Sequence, residues 1–151
     1  MYILLSAVAV CACNQKETNV EQEASHMLGE ARLLMQAQRY DAARDTIESM
    51  RRRYPTAFGA RTCGIVVMDS VELLRAQDSL AVIDSVLQAE QELFARLQAD
   101  KSGKNYDQRT QQHLKVFHLK QHLDETGAKV KFFLRKIEID RNNCNAEQQA
   151  L

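Results

Sequence analysis

Tryptophan is absent from this chain, proline occurs once and glycine five times. That scarcity removes the punctuation on which the many tight turns of a β-sandwich or barrel depend. No apolar run approaches the roughly 20 residues a helix needs to cross a bilayer. Nor is there a surplus of one charge: 20 Lys and Arg balance 20 Asp and Glu, so no global field draws the chain to nucleic acid or to an acidic partner. A Gly-rich phosphate loop and a Gly-x-Ser-x-Gly nucleophile turn are both missing, and the carboxylates are scattered. No catalytic activity and no cofactor are expected.

What is present is Ala, Leu, Gln, Glu, Arg and Lys, side chains that lose little entropy in a helix. With 151 residues the chain fits one domain with a modest core. The expected fold is all-α.

Residues 3–12 are apolar and polar sequence begins abruptly at Asn14. The run has the length of a signal-peptide hydrophobic region. It ends in Val10-Cys11-Ala12-Cys13, which resembles the lipobox of bacterial lipoproteins. The resemblance implies removal of residues 1–12, acylation of the Cys13 thiol and a flexible leader over 13–23. It further implies a lipid-anchored protein of the bacterial cell envelope. Asn14, where an Asp would favour retention at the inner membrane, points to the outer membrane facing the periplasm. Cys11, preceded by bulky Val10, is the second candidate. The opening Met1-Tyr2-Ile3 lacks the basic residue of a signal peptide, which places the expected start codon upstream. The alternative for the same residues is a buried N-terminal helix or strand. If Cys11 is removed and Cys13 lipidated, Cys63 and Cys144 remain. In an oxidising compartment they can pair, but their separation favours two independent thiols.

Over 24–54 the apolar residues recur at helical spacing. Met27, Ala31, Leu34 and Met35 make one stripe; Ala43, Ile47 and Met50 make another. Asp41 is positioned to cap the second helix and Pro55 to stop it. The offsets among Met27, Ala31, Leu34, Ala43, Ile47 and Pro55, with Tyr40 in the turn, resemble a tetratricopeptide repeat. Ala31 and Ala43 are the small residues of that pattern. Glu30 and Leu34 depart from its leucine and aromatic. Tyr40, Ala43 and Tyr54-Pro55 also resemble the repeats of outer-membrane assembly lipoproteins. One repeat cannot stand as a solenoid, so the rest of the chain is expected to cover it. Residues 56–77 read as a connecting helix opened by Thr56, with the repeat pattern degenerate around Gly64-Ile65.

Beyond the cap-like cluster Gln77-Asp78-Ser79, Leu80, Ile83, Leu87, Glu90, Phe94 and Leu97 alternate by three and four. A polar turn occupies 100–105. Val116, Leu119, Leu123, Thr126, Val130, Phe133 and Ile137 then repeat the alternation. Residues 78–141 are therefore expected to form a long antiparallel coiled-coil-like hairpin, with a kink or break at Thr126-Gly127. The helical domain is expected over 24–141 and a frayed tail over 142–151.

His118, His122 and Glu125 stand one helical turn apart and offer a zinc-like spacing, without the glutamate of a His-Glu-x-x-His site. Surface histidines are the expected reading, and no metal is assigned. Arg51-Arg52-Arg53 complements a helix C-terminus or docks anionic lipid. Lys129, Lys131, Arg135 and Lys136 read as a solvated face. The function expected is a non-catalytic protein-binding or scaffolding module with envelope proteins as partners and no nucleic acid. A self-associating helical spacer, or an envelope metal protein or enzyme, stands as the alternative.

Overall fold

The computed structural model describes the backbone of residues 9–100 and 104–150 and the side chains of 19–100, 104–147 and 149. Among these residues every regular element is a helix: α1 Ala9–Gln36, α2 Tyr40–Arg53, α3 Phe58–Ala99 and α4 Tyr106–Ala150. Two compact units result, Met1–Val71 with Arg135–Leu151, and Glu72–Leu134.

In the first unit α1 and α2 form the expected hairpin. Its turn is a Schellman motif: Gln38 N–H donates to Met35 O at 3.0 Å and Arg39 N–H to Leu34 O at 2.9 Å. That motif holds Gln38 at φ 58°, in the left-handed region. Asp41 is not the cap. Arg39 occupies that position without a side-chain cap, and Asp41 lies in the first turn while Arg51, Arg52 and Arg53 lie in the last, so both ends complement the helix dipole. Pro55 ends α2 as expected, with Tyr54 at ψ 69°, outside the helical region.

The helix α1 begins well before the expected residue 24 and runs through the stretch read as a leader. Residues 19–23 are part of the fold for two reasons. Val20 extends the apolar stripe onto the core. The Glu21 carboxylate accepts the backbone N–H of Ala60, one of the donors left unpaired in the first turn of α3. Residues 1–8 and the side chain of Cys13 lie outside the described residues.

The core of the first unit gathers Ala24, Leu28 and Ala31 of α1, Ile47 and Met50 of α2, Ala60, Cys63 and Val67 of α3, and Cys144 of α4. Gly64 permits the close approach: a Cβ there would stand 3.1 Å from Met50 Cε. Cys63 and Cys144 are joined in a disulfide, which corrects the expectation of independent thiols. It also corrects the frayed tail, since α4 continues to Ala150 and Cys144 is only 8% exposed. The crosslink spans 81 residues of sequence, a proximity no local pattern encodes.

Two further breaks are absent. The helix α3 passes through Gln77-Asp78-Ser79, and α4 passes through Thr126-Gly127. Asp and Ser cost a helix interior only a few tenths of a kcal/mol and Gly about 1, which tertiary packing overrides.

In the second unit α3 and α4 pair as the heptads predict. Ile83, Leu87, Val116 and Thr126 are buried; Leu80, Phe94, Leu97, Leu119, Leu123, Val130 and Phe133 are half-buried. Glu90, the polar seam position, meets Gln112, whose amide donates to the Glu90 carboxylate at 2.6 Å and to its carbonyl at 2.9 Å. Lys115 donates to the other carboxylate oxygen. A polar layer of this kind sets register in a coiled coil at some cost in stability.

Candidate functional site

The residues carrying the repeat resemblance all lie in the first unit. Ala31, Ala43 and Ile47 are fully buried, and the two alanines are the small side chains that let α1 and α2 approach. Met27, Leu34 and Tyr40 are half-buried and Pro55 is exposed. Six of these seven therefore build the hairpin rather than its surface. Any recognition must come from the side chains around them.

Among the surface grooves beside the hairpin, two are also lined by α3 and α4. One, of about 510 Å³, lies between the end of α2, the start of α3 and Lys136; Phe58 is 68% exposed beside Arg51, Arg61 and Met68. Arg61 does structural work there, donating to Pro55 O at 3.0 Å and Arg51 O at 3.4 Å, so that it satisfies a carbonyl in the last turn of α2. The second groove, about 340 Å³, runs past the disulfide between Arg32, Met35, Val66 and Arg141. Both grooves set cationic side chains beside apolar ones.

The first groove ends on a charge cluster the sequence did not announce. Asp69, its side chain 8% exposed, pairs with Lys136, which also meets Asp140 at 2.9 Å. Burial raises the Asp69 carboxyl above its ordinary value against the pull of Lys136. Burial alone would lower Lys136, but its hydrogen bonds to the two carboxylates outweigh this and hold the ammonium above its ordinary value. The hydrogen bond from Lys136 lowers Asp140. Lys136 thus departs from the solvated face expected for 129–136. The available signal was Asp69 itself, an acid that directly follows the apolar run Ile65-Val66-Val67-Met68 and precedes Ser70-Val71.

His118, His122 and Glu125 are exposed on α4. Among the described residues no three His, Cys, Asp or Glu side chains gather as metal ligands. Cys13, the expected lipidation site, lies in the backbone of α1 with its side chain outside the description. Among the described residues no helix is long and apolar enough to cross a membrane. No protein-family model, curated protein or solved structure matches the chain.

Proposed function

We propose that the chain is a lipid-anchored protein of the bacterial cell envelope, facing the periplasm, whose first unit binds other envelope proteins without catalysis of its own. The observation that carries this reading is the buried Cys63–Cys144 disulfide. Structural disulfides belong to oxidising compartments and are rare in the cytosol. The bond joins the lipobox-like Val10-Cys11-Ala12-Cys13 in pointing to export. Several acyl chains on Cys13, at about 0.8 kcal/mol per buried methylene, exceed what stable anchoring requires. The binding half rests on the repeat-like hairpin and on the exposed Phe58 groove beside it.

Intact mass spectrometry of protein from the producing cells tests the first half. A mature N-terminus at acylated Cys13 is expected; an unprocessed, unacylated chain in the cytosol overturns it. For the second half, a photo-crosslinking side chain at Phe58 is expected to give one discrete heteromeric adduct in the envelope. No adduct there, with a folded and anchored protein, removes the binding role.

A further inference from the structure

The second unit carries a groove that its own packing leaves open. The groove lies between α3 and α4, holds about 700 Å³, and is lined by residues of that unit alone. Sites for small molecules run from roughly 300 to 1,000 Å³. Its floor is Leu80 and Ala81 of α3 with Leu123, Gly127 and Ala128 of α4. Gly127 is the residue that the fold does not account for. A Cβ there would meet nothing within 4 Å, so no close approach of another segment demands a glycine. Glycine in a helix interior is nonetheless less favourable than alanine. The space it leaves belongs to the groove.

The polar side chains around this floor are sorted by end. Gln77 and Asp84 stand seven residues apart on α3, and Asp124 and Lys131 seven apart on α4. Seven residues make two turns, about 10 Å along each helix. Because α3 and α4 run antiparallel, Asp84 and Asp124 share one end while Gln77 and Lys131 share the other. One oxygen of Asp84 accepts the Gln88 amide at 3.0 Å. Asp124 and Lys131 have no ion-pair or hydrogen-bond partner among the described residues. The groove therefore has an acidic pole and a basic pole, with apolar side chains between them.

We propose that this groove binds a small bipolar amphiphile: an ammonium or guanidinium against Asp84 and Asp124, a carboxylate against Lys131 and Gln77, and an unbranched apolar body on the floor. Charge complementarity selects this occupant. An uncharged apolar ligand would desolvate charged groups at both ends without pairing them. An anion alone would meet the two carboxylates, and a cation alone the Lys131 ammonium. The spacing of the poles sets the length, with charged ends about 10 Å apart. The inference goes beyond the protein binding assigned to the first unit, and stands whether or not Cys13 is acylated.

The probe is ω-aminooctanoate, whose extended chain matches that spacing, added to the full chain with its disulfide intact. Amide NMR is expected to show saturable shifts confined to 77–84 and 123–131. Its dissociation constant should be at least about tenfold lower than that of octylamine or octanoate, each of which lacks one pole. Asp124→Asn and Lys131→Gln keep the shape of the groove, and each should erase most of that advantage. Gly127→Leu fills the floor with a better helix former, so it is expected to abolish binding while the thermal midpoint holds or rises. Absence of saturable shifts at millimolar ω-aminooctanoate overturns the proposal. So does equal affinity for octylamine, which would mark adsorption on an apolar surface, or binding that survives Gly127→Leu.

Discussion

The two units solve the same problem, burying a helix face, in opposite ways. The first surrounds its core from four helices, fills it with small residues and Ile47, Met50 and Val71, and closes it with a disulfide. The second is a two-helix hairpin whose seam holds a Glu90–Gln112–Lys115 layer, and it leaves Val82, Leu93, Phe117 and Phe132 in the open. Two helices cannot bury more than one stripe each. The lesson is that the first unit combines complete burial with a crosslink, while the second leaves apolar side chains exposed.

The sharpest way to break this contrast is to remove the crosslink. Cys63→Ser with Cys144→Ser, or reduction, is expected to cost about 4–5 kcal/mol through the 81-residue separation. Denaturation with and without reductant reads the loss. Hydrogen exchange should place it in the first unit, while protection of Ile83 and Leu87 in the second persists; equal loss in both would erase the distinction. Next in size, Ile47→Ala should cost about 3 kcal/mol by leaving a cavity where nothing is exposed. Leu114→Ala, at a side chain 52% exposed, should stay within about 0.5 kcal/mol. Between these two in size is the turn of the first hairpin. Gln38→Gly relieves the left-handed backbone and should add about 0.5–1 kcal/mol to thermal stability. Loss of stability there would mean that Gln38 makes contacts outweighing its backbone strain.

Acid separates the units by direction rather than size. Gln112, and after it Lys115, lower the Glu90 carboxyl below its ordinary value of 4.5. A depressed carboxylate contributes stability that is present above its unfolded-state value and is lost as pH falls through the folded one. The second unit should therefore weaken below pH 4.5. In the first unit raised Asp69 and lowered Asp140 oppose each other over the acidic range. An NMR titration should show Glu90 returning toward its ordinary value in Gln112→Leu; an unmoved titration would deny the amide its role.

Much of the architecture was legible because it rests on short-range pattern. The seam from Leu80 to Leu97 and its partner from Val116 to Phe133 repeat every three or four residues, and the structure buries or half-buries both. The hairpin of α1 and α2 was readable from Ala31, Ala43 and Ile47, and its end from Pro55. Cap-like residues misled at Gln77-Asp78-Ser79, because a weak local preference yields to packing along a 42-residue helix. The polar stretch before Ala24 misled in the same way, since Glu21 finds its use only against Ala60. Of the candidate site, the hairpin's framework was visible. The groove bearing Phe58, and the Asp69–Lys136 pair at its edge, were not.

Composition and periodicity, taken alone, made this chain helical, placed the first turn within a residue or two and the end of α2 at Pro55, and named the side chains of both heptad seams. Each of those properties depends on a few consecutive residues. Only tertiary structure decided that Cys63 meets Cys144, that Lys136 answers Asp69, and that α4 covers one stripe of α3 while the adjacent stripe stays exposed. Those outcomes join residues tens of positions apart, where the free energy lies in the contact between segments and in neither segment by itself.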